Sequence, residues 1–420
     1  MVASARDAFR RLWAASAISS FGTALTAVAL PVLVVQVLEA SPVQVGIVAA
    51  AQFVPYAVLG LIAGVYVDRW RRKRVLVWAS AGRAVALCLI PLLWIIDALD
   101  ISVLVVLLLM FGSLQVFAFA ASQSLLPRVV TRDRLLVANT RIDQTDAAAQ
   151  TAGPALGGGL VGLLGAPLAI LVDAVSYLVE AVLISTLRVD EPPPGERGRR
   201  NFVHEAREGL AWTCRHRTLA PLSVSTHVWF VANAAAFTVL ALFALRELDV
   251  TPFVYGLLFA AAGIAMLAGA SAAPWSGRLL GAGRTIIAAR IAYPLAWAPV
   301  AVIAATGVGD SIAIVGLFVA MTLQGIVAGI ENPHEMGYRQ AVTPDGILGR
   351  VSATIRSANR SMAALGALLG GITVAAVGVA PAFVGVVVVF AIAALIAGFS
   401  PLRSANHDDS AEPSEGWNGT

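Results

Sequence analysis

The sequence predicts an all-α membrane protein: 12 transmembrane helices in two pseudo-symmetric six-helix halves, both termini cytoplasmic. Three observations predict it. Of 420 residues, 58% are apolar before the 37 glycines are counted, and only 13% are charged, about half the charge of a soluble domain. The apolar residues fall in runs of the ~20 needed to cross a bilayer. Arginine and lysine alternate strictly between successive inter-run loops. So little charge cannot cover a soluble surface, which excludes a soluble enzyme, a nucleic-acid binder and a disordered chain.

The runs in order are 12–37, 45–67, 75–96, 101–124, 143–164 and 167–187, then 218–245, 253–275, 285–306, 311–332, 357–378 and 381–400. They divide the chain into an N-terminal half (1–187), a cytoplasmic linker with an amphipathic helix (188–217), a C-terminal half (218–403) and a polar, disordered cytoplasmic tail (404–420). Of the 29 Arg and Lys, 26 lie on one side of this alternation. Positive charge marks the cytoplasmic side. The first run follows Arg6, Arg10 and Arg11 without a cleavage site, so it reads as a span rather than a removed leader. The cluster Arg69-Trp70-Arg71-Arg72-Lys73-Arg74 between two spans reads as positive-inside anchoring rather than a nucleic-acid patch. Two cysteines, Cys88 and Cys214, form no disulfide framework.

The halves repeat at an offset near 210. Ser41-Pro42-Val43-Gln44-Val45-Gly46 matches Thr251-Pro252-Phe253-Val254-Tyr255-Gly256, Val130-Thr131-Arg132-Asp133 matches Val342-Thr343-Pro344-Asp345, and Gly158-Gly159 falls opposite Gly370-Gly371. Two parallel six-span repeats form a transporter architecture with the substrate site between them.

These residues resemble the major facilitator superfamily over essentially the whole chain. Gly60-x3-Gly64-x3-Asp68-Arg69-x2-Arg72-Lys73-Arg74 resembles its loop motif, although Trp70 and Arg71 replace the usual glycine. Gly153-Pro154-Ala155-Leu156-Gly157-Gly158 resembles the motif of its exporters and antiporters. Asn332-Pro333, Gln340-Ala341-Val342-Thr343-Pro344 and Leu171-Val172-Asp173-Ala174-Val175-Ser176-Tyr177 resemble the subgroup that includes macrolide-efflux proteins and the enterobactin exporter. The resemblance implies that Asp68 pairs with the start of span eleven, where Arg350, Arg356 and Arg360 stand. The repeat mirrors this with Arg278 and the start of span five, Asp143 and Asp146. Two reciprocal cytoplasmic latches, with Arg69 and Arg72 beside Asp68, compete with a reading as independent solvated charges.

Ionisable groups inside spans are costly and are functional candidates. Asp173, Ser176 and Glu180 share one face of span six. Glu180, eight residues from Arg188, lies about 12 Å deep, where a proton-coupling role competes with a neutral, hydrogen-bonded one. Asp173 competes between coupling and an outer structural role. Arg83 is expected to reach the cytoplasm by its long stem or to pair with a carboxylate, and Arg290 to reach the cytoplasm. In the superfamily, spans one, four, seven and ten line the cavity. Here they offer Thr23, Thr26, Gln115, Phe119, Ser122, His227, Phe230, Asn233, Phe237, Met321 and Gln324, a set suited to a bulky amphipathic ligand. His334 reads as peripheral, and His227 as structural or titratable. Pro154 and the glycines from Gly153 to Gly158 read as a bent gating helix or as packing. The pairs Gly60/Gly64, Gly325/Gly329 and Gly366/Gly370 read as packing.

No catalytic residues, metal-ligand spacing, cofactor or Gly-x4-Gly-Lys-Ser/Thr nucleotide loop is present, so neither an enzyme nor ATP-driven transport is expected. The expected function is secondary-active, proton-coupled export of a hydrophobic or amphipathic small molecule, of the drug or multidrug kind, across the bacterial cytoplasmic membrane. Export of a defined metabolite such as a siderophore and nutrient uptake remain alternatives, and a membrane receptor without flux stands in a different class. The expected partners are the small-molecule substrate and the lipid bilayer, with no nucleic acid and no ATP on this chain.

Overall fold

A computed structural model describes residues 2–131, 134–187, 189 and 202–405, except for the side chains of 2–6, 61, 62, 64, 65, 68, 69 and 202–206. The expected tail from residue 406 and most of the linker lie outside the described residues, as do the side chains of Asp68 and Arg69. Thirteen α-helices and no strands occur among the described residues. Helices α1 (Val2–Val32), α2 (Pro42–Ala51), α3 (Val54–Arg69), α4 (Arg72–Ile95), α5 (Ile101–Val129), α6 (Leu135–Leu164) and α7 (Ala166–Ser185) make the first half. Linker helix α8 (Phe202–Arg215) precedes α9 (Leu219–Leu242), α10 (Pro252–Thr306), α11 (Asp310–Val342), α12 (Asp345–Val377) and α13 (Val379–Gly398).

Twelve spans follow once two breaks are counted. The second span is split into α2 and α3 just ahead of Pro55, which lacks a donor for the preceding turn. Conversely, α10 holds two spans joined at Gly281, whose φ of 78° only glycine adopts readily. Among the described residues, eleven helices are long and apolar enough to cross a membrane. The fifth expected span, within α6, is not among them, because Asp143, Asp146 and a run of small residues dilute its hydropathy. It is nonetheless 30 residues long, about 45 Å at 1.5 Å per residue. Four helices (α1, α6, α11, α12) continue well past their apolar runs at the ends expected to be cytoplasmic. The expected loop 333–356 is therefore mostly helix.

The repeat is visible in the backbone. The first span ends in a π-helical turn, Leu33–Val37, and the seventh in another, Phe243–Glu247, 210 positions on. Positive φ recurs at Glu39 and Asp249 and at Asp97 and Gly307, also 210 apart. Ser41 caps α2 with a capping box closed by Gln44, and the Thr251 hydroxyl accepts from the Val254 amide (3.3 Å). In each half the first helix packs on the fifth and sixth: α1 on α6 and α7, and α9 on α12 and α13.

The chain forms two compact units, one of residues 1–200 with 244–260, the other of 201–243 with 261–420. The end of span seven and the first turns of α10 belong with the first unit. There, Gly158 of α6 lies against the backbone of Pro252 and Phe253, and Gly256 against the Pro154 carbonyl, with no room for a side chain at either. In the second unit, α8 lies along α12. Trp212 is buried in a core with Leu219, Ile347, Val351 and Ile355, and Arg350 pairs with Glu208.

Candidate functional site

In the first unit, α1, α4, α5 and α7 converge on a buried polar column along one face of α7. Arg83 of α4 pairs with Glu180 (2.9 Å) and also donates to Ser80 Oγ (2.9 Å) and to Gln115. Its guanidinium lies 4.1 Å above the Tyr177 ring. The Tyr177 hydroxyl meets Thr23 Oγ1 (2.6 Å). One turn on, Asp173 accepts from Thr26 (2.6 Å) and Ser176 (3.0 Å) and makes no ion pair among the described residues. Asp173 and Glu180 are seven residues apart, about 10 Å along the helix. Gly22 permits this convergence: a Cβ there would run into Ser176 and the Asp173 carboxylate.

Arg83 is therefore buried and paired, the second of its two expected states. Its planar fork serves Glu180, Gln115 and Ser80 together, which a lysine cannot do. Removing water from an ion pair is costly and is offset only when the remaining donors are satisfied, as they largely are here.

The second unit has its own buried arginine, and here the expectation was wrong. Arg290 is 1% exposed and does not reach the cytoplasm. It pairs with Glu331 (2.8 Å) and Glu335 (2.8 Å) of α11, donates to Thr226 (2.9 Å) and lies 5.4 Å from the Trp229 ring centroid. Glu331 falls inside the tenth run, 311–332, yet is not among the sequence candidates, and Glu335 lies just beyond the end of that run. Their i, i+4 spacing on one helical face was the available signal. Beside them opens a cavity of about 350 Å³ lined by Trp229, Phe230, Asn233, Asn332, Met336, Arg339 and Asn359. Arg290 Nη1 and Trp229 Nε1 are buried without a hydrogen-bond partner among the described residues.

The other sequence candidates are placed as follows. Asn233 accepts from Gln324 (3.1 Å), which itself accepts from Trp297 (2.6 Å), and His227 bonds Asn359 (2.7 Å). Phe230 packs edge-on to Trp229. Met321, read as a cavity residue, is fully buried. Phe237 and Ser122 are half-buried, and Phe119 is exposed. His334, read as peripheral, is buried and contacts Ser276 and the Ala273 carbonyl. Asp146 accepts from Ser20 (2.5 Å), Asp143 and Arg278 are exposed, and Arg350 is engaged by Glu208. Arg356 and Arg360 lie on α12 and Arg72 at the start of α4. Gly153 and Gly157 press on Ala24 and Leu25 of α1. Gly325 and Gly329 lie on the backbones of Ala262 and Met266, and Gly366 and Gly370 on those of Val231 and Ala235, close helix packing in each case.

The comparisons agree with this architecture. The family model described as "transmembrane secretion effector" matches residues 3–420. The MFS-type transporter y4rN of Sinorhizobium fredii is 28% identical over 80% of each chain. The multidrug efflux pump Tap of Mycolicibacterium fortuitum is 26% identical over 90% of this chain and 92% of that one. Tap of Mycobacterium tuberculosis is 28% identical over 50% of this chain, which spans about half (52%) of that relative's length. Among solved structures, the nucleoside transporter NupG aligns with a TM-score of 0.76 at 10% identity, covering 93% of this chain and 99% of that one. A bacterial homologue of the lysosomal transporter Spinster aligns at 0.72 and 14% identity, covering 96% and 98%. The chain belongs to the transmembrane secretion effector family of major facilitator superfamily transporters.

Proposed function

We propose that this multi-pass membrane transporter is a secondary-active exporter in a bacterial cytoplasmic membrane, moving bulky hydrophobic or amphipathic compounds outward as protons move in. The observation that carries the proton coupling is the column on α7, where two carboxyls, Asp173 and Glu180, are buried seven residues apart, Glu180 paired with Arg83 and Asp173 held by Thr26. A proton arriving on Glu180 would release Arg83 to its other partners, Gln115 and Ser80. A proton leaving would restore the pair. In both states Arg83 keeps hydrogen-bond partners, but with Glu180 protonated those partners, Gln115 and Ser80, are neutral.

Substrate would sit against the cavity beside Arg290. Trp229 and Phe230 offer it apolar faces, and the two partnerless N–H groups call for an acceptor oxygen. Export as the direction is supported by relatives named as efflux pumps. The test is flux in proteoliposomes under an imposed pH gradient across a panel of amphipathic compounds. Gradient-dependent extrusion is the expected result. Flux that ignores the gradient would overturn the coupling, and gradient-driven uptake would overturn the direction.

A further inference from the structure

A groove of about 620 Å³ opens in the first unit at the start of α4. Trp70, Arg71, Arg74 and Trp78 line it from α4 and the turn before it, Leu114 and Phe117 from α5. Arg71 caps the start of α4 and positions 74, 78 and 82 follow at helical spacing, so they form one stripe leading down the helix. The stripe begins with two arginines, continues with Trp78 and ends at Gly82, whose missing side chain leaves room for Leu114.

The charges in this stripe are unused. Arg71 and Arg74 are exposed and have no hydrogen-bond or ion-pair partner among the described residues. Their neighbour Lys73 instead turns inward and donates to the Leu187 carbonyl (2.7 Å). Trp78 is 75% exposed and Trp70 54%, two large rings of the kind that favour the headgroup level. Positive-inside asymmetry sets this end of α4 at the cytoplasmic surface, where anionic lipids concentrate. Below it, Leu114, Phe117 and Gly82 carry no polar side-chain group. The groove thus runs from paired guanidiniums through an aromatic belt to a hydrocarbon trough.

We infer that this groove holds one anionic phospholipid of the cytoplasmic leaflet. The phosphate lies between Arg71 and Arg74, whose planar forks match its oxygens. An acyl chain runs past Trp78 along Leu114 and Phe117. The inference concerns lipid binding alone and stands apart from the transport reading.

Native mass spectrometry on the delipidated full chain tests it, using phosphatidylglycerol and phosphatidylcholine with the same acyl chains. One phosphatidylglycerol should bind roughly 30-fold more tightly than phosphatidylcholine, about fivefold for each arginine. Arg71→Ala with Arg74→Ala should bring the two lipids level, with thermal unfolding reporting that the fold is kept. The charge-conserving pair Arg71→Lys and Arg74→Lys should keep most of the preference. Equal affinities in the unaltered protein, or an unchanged preference in the double alanine variant, would overturn the proposal. Displacement of the lipid by millimolar inorganic phosphate would reassign the arginines to a free anion.

Discussion

Among the described residues, each unit buries one arginine at nearly the same place in the repeat, Arg83 in span three and Arg290 in span nine, yet each pairs it differently. Arg83 takes one carboxylate, from span six, and fills its other donors with Gln115 and Ser80. Arg290 takes two carboxylates, both from span ten, and leaves one nitrogen without a partner beside a cavity. The position opposite Glu180 in the second half is Phe390, stacked on Tyr293. One ancestral scaffold therefore holds a closed, fully used ion pair in one half and an open, charge-rich one in the other. A closed pair suits a group that changes protonation in place, and an open one suits contact with a ligand.

The largest expected effect separates the two by stability. Arg290→Met leaves the buried Glu331 carboxylate and the partly exposed Glu335 carboxylate without their cation and should cost about 3–5 kcal/mol in denaturant unfolding. Arg83→Met leaves a single carboxylate with hydroxyls nearby and should cost less. Equal losses would mean that the second carboxylate of the Arg290 cluster adds nothing, and the contrast would fall.

Function gives the next test. Glu180→Gln keeps shape and removes the titrating proton, so gradient-driven flux should drop roughly 5- to 150-fold with substrate affinity retained. Glu335→Gln should do the reverse, shifting affinity while gradient dependence persists. The opposite pattern in paired flux and binding measurements would exchange the roles of the two clusters.

Gly22→Ala probes how tightly the first column is built. Its methyl would press on Asp173 and Ser176, costing about 1–3 kcal/mol by overpacking. Gly162→Ala on α6 meets open space and serves as the control in the same melting experiment. Identical melting of both variants would show the Asp173 surroundings to be looser than described.

The smallest effect belongs to the Arg350–Glu208 pair, whose side chains are 36% and 21% exposed. Glu208→Gln should change stability by only ~0.2–1 kcal/mol, less than any change to a buried arginine. A loss as large as that for Arg290→Met would show that burial is not what distinguishes these ion pairs.

Much of the fold was legible in the chain because its signals are one-dimensional. Hydropathy depends on a residue and its near neighbours, and the charge alternation is set by the membrane rather than by packing. The repeat could be read from Ser41-Pro42 and Thr251-Pro252 because caps and turns are local. The α7 stripe Asp173, Ser176 and Glu180 was also legible, since helical spacing alone puts these residues on one face. Where apolar runs end was less informative. Helix α11 continues through Glu335 to Val342, and polar residues beyond the apolar run extended it where a loop was expected.

The sequence by itself determined twelve spans, their orientation, the repeat and the presence of costly charges within the spans. Only the tertiary structure decided what those charges meet. Glu180 reaches Arg83 across 97 residues of chain, and Glu335 reaches Arg290 across 45. Both arginines have stems long enough either to reach the surface or to turn inward. The choice between these depends on whether a carboxylate on another helix stands within hydrogen-bonding distance. That is fixed by which helix faces pack together, here by contacts as close as that of Gly22 of α1 against Asp173 and Ser176 of α7, and no local pattern in the chain encodes it.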